Sequence, residues 1–164
     1  MRDAIGGAFS IQLIIVFIVV IISFLGFSVN YNRTFHFKNH VVDLIERNEG
    51  LTNNNHPMCM ELNLIANRVG YLPPRNFNSI GCPSGFVPGP CSSDRNGHPL
   101  FCVRTTHVQP SGINQGDNLG LPRRQYDVIV FVNIDIPVLN QIFPRLDIFR
   151  VPGSTRTIID RGNR

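Results

Sequence analysis

Tryptophan is absent from the 164 residues, and charge is sparse: Asp, Glu, Lys and Arg together make up 16%. The basic residues leave a net charge of +4 but are scattered, with no run of Lys and Arg of the kind that tracks a phosphate backbone. A solvated basic surface is expected, and a nucleic-acid partner is not. Catalytic constellations are missing too. His36 and His40 stand four apart and share a helix face, but Phe-Lys-Asn lies between them, so the Glu that follows the first His in a metalloprotease helix is lacking. Ser111-Gly112 and Gly116–Gly120 form a Gly-rich stretch without a P-loop Lys, read as a strand connection. Asp127 and Asp135 lie on one strand, too far along it to act as a pair. Nothing sets a nucleophile beside a base. Enzymatic activity, a bound metal and a cofactor are therefore not expected.

The absence with the largest consequence is local. Between Asp3 and Arg33 no residue is charged, and within that span Ala8 to Val29 reads AFSIQLIIVFIVVIISFLGFSV. Phe9, Phe17, Phe24, Phe27 and Phe35 lie in or beside it. A hydrocarbon core about 30 Å thick needs roughly 20 helical residues, so the stretch is long enough to cross a bilayer. Its many β-branched residues weaken a helix in water, but in lipid the backbone can satisfy its hydrogen bonds only internally. Residues 8–29 are read as a transmembrane helix and 1–7 as a short cytoplasmic leader. The competing reading is a cleaved signal peptide. Against it, Arg2 is offset by Asp3 and the apolar stretch is long; for it, Gly26-Phe27-Ser28 is a small-x-small triplet at the far end.

Orientation receives two opposed signals. Arg33, Lys38 and Arg47 after the stretch outnumber Arg2 before it, which alone places the N-terminus outside. The cysteines point the other way. Cys59, Cys82, Cys91 and Cys102 all follow the apolar stretch, and the last three border the loop-rich segment GCPSGFVPGPCSSDRNGHPLFC. Such a segment buries little apolar surface and gains about 2–4 kcal/mol from each covalent closure. Zinc favours close ligand pairs, which these spacings do not provide, and free thiols are the remaining alternative. With disulfides taken as the expectation, the domain is extracytoplasmic and the N-terminus cytoplasmic. Of the three pairings open to four cysteines, Cys82–Cys91 closing the Pro/Gly loop with Cys59–Cys102 tying a helix to a strand is the one expected.

The remainder, 30–164, makes one domain. Helical periodicity continues through 30–48, where Phe27, Tyr31, Phe35, Val42 and Ile45, with Val41 beside them, trace a stripe interrupted by Lys38. Gly50 and Thr52-Asn53-Asn54-Asn55 end it, leaving a helix about 60 Å long. A short helix over 57–69 starts at Pro57 and stops at Gly70, and 71–99 reads as a loop rich in Cys, Pro and Gly. Strands are expected at about 100–108, 125–136, 145–151 and 154–160. In the second, Tyr126, Val128, Val130, Val132, Ile134 and Ile136 share one face. Pro152-Gly153 suits a type II turn joining the last two. The fold expected is α+β: a long N-terminal transmembrane-plus-amphipathic helix packed on a small antiparallel β-sheet.

That plan resembles the type IV pilins and pseudopilins, and most closely the TadE-like minor pseudopilins of tight-adherence pilus systems in their Gram-positive form. The resemblance is carried by the leader Met1–Gly7, by Phe27-Ser28-Val29-Asn30-Tyr31 running into Lys38-Asn39, and by the ending IDIPVLNQIFPRLDIFRVPGSTRTI. It implies cleavage after Gly7, which makes Ala8 the first mature residue and Gln12 the fifth. The family usually has Glu at the fifth position, to attract the new ammonium of a neighbouring subunit. An amide can hydrogen-bond that amine without neutralising it, and no Lys or Arg directly precedes the glycines, so a minor or initiating role fits better than a major subunit. The implied function is a membrane-anchored subunit of a surface pilus or secretion apparatus that acts by protein–protein interaction. Its implied partners are the lipid bilayer, other pilin-like or pilus-assembly membrane proteins, and copies of itself. The alternative is a signal-anchored extracytoplasmic binding domain that joins no filament.

Overall fold

The computed structural model describes residues 2–51, 57–74, 77, 81–93, 97–108, 123–133 and 149–159. Helix α1 runs unbroken over Arg2–Arg47, 46 residues, or about 69 Å at 1.5 Å per residue. No break in the helix separates a leader from the apolar stretch. Its end is closed by paired bonds from the Glu49 and Gly50 N–H groups to the carbonyls of Glu46 (3.3 Å) and Ile45 (3.0 Å). This is a Schellman ending in which Glu49 takes the left-handed conformation, with φ of 53°. Helix α2, Pro57–Val69, ends the same way. Gly70 at φ 73° supplies the left-handed residue, and Tyr71 N–H reaches the Ala66 carbonyl at 2.8 Å.

Among the described residues the strands are β1 (Val87–Pro88), β2 (Cys102–Val108), β3 (Arg123–Val132), β4 (Phe149–Ser154) and β5 (Ile158–Ile159). The sheet is antiparallel in the order β1-β2-β3-β4, and β5 also pairs with β3. Three expectations change here. The segment 71–99 is not wholly loop, because Val87 and Pro88 pair with Val103 and Cys102 and give β2 a short outer neighbour. The first strand begins at Cys102 instead of residue 100. The hairpin turn at Pro152-Gly153 does not form. Pro152 and Gly153 lie inside β4, opposite Ile129 and Val128 of β3, and β5 pairs with the beginning of β3, Ile158 with Arg124 and Ile159 with Arg123. A proline is tolerated there because β4 is an edge strand, where the N–H it lacks can be dispensed with. Between β4 and β5 Thr155 keeps the ladder going. Its N–H donates to the Tyr126 carbonyl at 2.9 Å, and its hydroxyl accepts from the Tyr126 N–H at 3.0 Å. The expected strand residues Ile134, Asp135 and Ile136, the segment 145–148, and the connections holding Ser111-Gly112 and Gly116–Gly120 lie outside the described residues.

Alternation along β3 produces two apolar faces. Tyr126, Val128 and Val130 point into the main core with Phe101 and Val103, against Phe37, Val41, Leu44 and Ile45 of α1 and Met58, Leu62 and Ala66 of α2. Ile129 and Phe131 point the other way and pack with Phe77, Cys102 and the partly buried Cys82 and Phe86. Phe77 meets Phe131 edge to face at 5.5 Å. The face of α1 that is buried differs from the expected stripe: Tyr31 and Phe35 are exposed, while Thr34, Phe37, Val41, Leu44 and Ile45 are buried. This half of α1 carries apolar residues on more than one side, so its own pattern leaves the rotation about the axis open. Packing against α2 and the sheet decides it. Lys38 lies at the margin, its stem so close to β4 that a Cβ on Gly153 would stand 2.9 Å from its Cδ.

The disulfides join Cys59 to Cys91 and Cys82 to Cys102, which corrects the expected pairing of Cys82 with Cys91 and Cys59 with Cys102. The reason is the parity of β2. Phe101 and Val103 face the helices, so Cys102 faces away, beyond the reach of Cys59 on α2. Cys82 lies on that outer face and Cys91 on the inner one. The segment between them passes around the sheet edge through β1 and does not close on itself.

Tyr71 links the layers. Its ring stacks on Phe37, 4.3 Å between centroids and 9° between planes, and its hydroxyl donates to the Leu100 carbonyl at 3.0 Å. Burial pushes its phenol well above the ordinary value of 10.0, against a smaller opposing effect from a hydrogen bond with the Phe131 backbone. Because the folded chain holds this proton more tightly than the unfolded chain, its stabilising contribution is complete below about pH 10 and is lost as pH rises further, by about 1.4 kcal/mol per unit. Urea midpoints measured across pH 9–12 should fall above about pH 10. Tyr71→Phe should cost about 1–2 kcal/mol at neutral pH by stripping the Leu100 carbonyl of its donor, and should flatten that alkaline fall. A fall of equal steepness in the variant would remove Tyr71 as its cause.

Candidate assembly surface and its surroundings

Side chains from Phe9 to Ile22 are all exposed on α1, and Ile14, Ile15, Val16, Phe17 and Ile18 are each about half or more uncovered. The helix is long and apolar enough to cross a membrane. In water such a face would be a severe liability, since apolar patches of this extent mark interaction or membrane surfaces. Gln12 sits on this bare portion and is exposed, and Gly7 and Ala8 lie in the same continuous helix. The three expected processing and assembly positions thus lie on one helix.

The domain meets α1 lower than a boundary at residue 29 implies. Ser23 is buried, Gly26 and Phe27 are half-buried, and Phe27 packs with Val132 and Val151. Its ring meets Phe149 edge to face at 5.4 Å and stacks with Tyr31 at 6.1 Å. The last turns of the apolar stretch therefore belong to the domain as much as to the span. Gly26, which together with Ser28 could admit a neighbouring helix, is partly taken by the domain itself, while Ser28 remains exposed.

Concave features are present among the described residues of the domain. A cavity of about 150 Å³ opens where α1 leaves the apolar stretch, lined by Asn30, Arg33, Thr34, Gly70, Tyr71 and Asn133 among others. An open groove of about 390 Å³ runs beside Arg104 and Asp127, which face each other across β2 and β3. Their ion pair is 2.8 Å long, and the Arg104 guanidinium stands 4.8 Å from the centre of the Phe86 ring. Half-exposed as it is, the pair stabilises by at most about 1 kcal/mol and serves to hold the strands in register. His36 and His40 are exposed on α1. Among the described residues no three of His, Cys, Asp and Glu converge as a metal site would require. All four cysteines are spent in bridges and none is a free thiol.

The described residues thus present a long apolar helix, a domain seated on its far half, and a polar cavity at the junction. Compared with known protein families, with curated proteins and with solved structures, the chain matches none.

Proposed function

We propose that the chain is a membrane-anchored, pilin-like subunit of the TadE-like type, part of a surface pilus or secretion apparatus, acting by protein–protein interaction. One observation carries the reading. A single unbroken helix is bare and apolar from Phe9 to Ile22, yet supplies Phe37, Val41, Leu44 and Ile45 to the core of an antiparallel α+β domain. A mere tether has no need to be continuous with the core. Continuity transmits the position of the helix in a bundle to the orientation of the domain. The two disulfides fit an extracytoplasmic domain, which supports a cytoplasmic N-terminus against the positive-inside count.

The alternative is a signal-anchored binding domain outside any filament. It is favoured by Gln12, whose amide cannot neutralise a neighbour's ammonium. Cysteine crosslinking in native membranes decides between them. Single cysteines placed along positions 11–28, with the native four removed, should crosslink to themselves or to a partner with helical periodicity. Gln12→Leu should weaken that crosslinking, because a lone amide in lipid gains about 0.6–2 kcal/mol from a partner across a helix interface. A flat, low profile with Gln12→Leu silent would favour the solitary anchored domain.

A further inference from the structure

We propose that the cavity at the junction of α1 with the domain binds the phosphate of an anionic lipid headgroup. This rests on the membrane anchor and not on the pilus. Three segments distant in sequence build the cavity: Asn30, Arg33 and Thr34 from α1, Gly70 and Tyr71 from the end of α2, and Asn133 just after β3. No carboxylate lines it. Arg33 is exposed and has no acidic partner among the described residues. The amides of Asn30 and Asn133 can each donate two hydrogens beside it. The Thr34 hydroxyl is spent on the Asn30 carbonyl at 2.9 Å, and that of Tyr71 on the Leu100 carbonyl. Among the lining side chains the one formal charge is positive. A planar guanidinium beside neutral donors suits a phosphate oxygen better than it suits an uncharged apolar ligand.

Position selects the source of the phosphate. Asn30 immediately follows the last apolar residue, Val29, and Arg33 is the first charged residue after the span. With the apolar stretch in hydrocarbon, the cavity opens at headgroup depth. Tyr31, stacked on Phe27 alongside, is a residue type that favours the membrane–water interface. Gly70, at the left-handed φ of 73° that ends α2, lies against the cation. A Cβ there would stand 3.5 Å from the Arg33 guanidinium, so any longer side chain would crowd it.

The full chain in zwitterionic detergent micelles, titrated with short-chain phosphatidylglycerol and separately with phosphatidylcholine, tests this by native mass spectrometry of the retained lipid. Phosphatidylglycerol should be retained about tenfold more strongly, because the quaternary ammonium of the choline lipid offsets its phosphate charge and opposes Arg33, and Arg33→Gln should abolish the preference. Asn133→Ala should reduce it about threefold, and Arg47→Gln, remote from the cavity, should leave it unchanged. Equal retention of the two lipids, or equal preference in wild type and Arg33→Gln, overturns the site. Displacement of the lipid by inorganic phosphate at equal concentration overturns the lipid as its source. Flotation of the chain with phosphatidylcholine vesicles reports the anchor separately, so loss of the anchor reading and loss of the site are told apart.

Discussion

Replacing Cys59 and Cys91 together by alanine should lower the stability of the domain by about 2–4 kcal/mol, and reducing both bridges should unfold it at growth temperature. The expectation comes from what each bridge spans. Cys59–Cys91 closes 32 residues of sequence and Cys82–Cys102 closes 20. Within these spans the only described regular structure is most of α2 and the two-residue β1. In the loop-entropy account each closure removes about 3–4 kcal/mol of unfolded-state freedom. The two spans interleave, so the second bridge closes a loop the first has already shortened, and the effects are not additive. The bridges also do different things. Cys59–Cys91 fastens α2 to the inner core, whereas Cys82–Cys102 holds Phe77, Cys82 and Phe86 over the outer face of the sheet. Removing the second pair should therefore open the outer face first, with protease cleavage appearing in 77–90 before α2 is lost. Urea midpoints with and without reductant, and peptide mapping after limited proteolysis, read both effects. In intact cells, thiol reagents should label the domain only after reduction. Labelling without reduction, or a midpoint indifferent to reductant, would remove the bridges from the account and return the domain to the cytoplasmic side.

The sequence shows some of this directly and hides the rest for identifiable reasons. The two helices are legible because their starts and stops are chemical: Pro57 opens α2, and Gly50 and Gly70 stand where each chain leaves its helix. The central strand is legible in its inner face, Tyr126, Val128, Val130 and Val132. Its outer face carries a signal too, since Ile129 and Phe131 make residues 128–132 apolar at both parities, and a strand of that kind is covered on both sides. Following the same parity through Phe101, Cys102 and Val103 separates Cys102 from the helices and excludes its pairing with Cys59. The buried side of α1 is not legible in this way. Tyr31, Phe35 and Phe37 are all apolar enough to be core residues, and only the partners across the interface select Phe37. The contact of Phe27 with Phe149 and the meeting of Arg33, Gly70 and Asn133 join positions far apart in the chain, which no local pattern marks. Gln12, Gly7 and Ala8 are the reverse case. They are legible only by position along the helix, and Gln12 stands exposed on it.

The largest loss expected from a single substitution is at the centre of the apolar stretch. Val19→Arg should lower membrane insertion by about 2.5–3.5 kcal/mol, or roughly a hundredfold in the insertion equilibrium, and move the chain to the soluble or degraded fraction. Val19 lies midway along the apolar stretch Ala8–Val29, too far from either end for an arginine to reach the headgroups without thinning the bilayer. The domain offers it no shelter, because its contacts on α1 begin at Ser23 and Phe27, a turn or more away. The same arginine placed at Leu64, an exposed residue of α2 that is 69% accessible, should change neither membrane association nor stability by more than about 0.5 kcal/mol. That pair of variants separates an effect of membrane depth from an effect of charge. Quantitative flotation of both, with the intact mass of the recovered chain, is the measurement. If Val19→Arg floats as well as the Leu64→Arg control, the helix does not span. If the wild type is recovered at the mass left by cleavage after Ser28, the stretch is a signal peptide. That cut would also sever Phe27 from Phe149 and Val151, so the released domain should then be less stable than the full chain. Recovery of the full chain, or of a chain beginning at Ala8, keeps that contact and the span together.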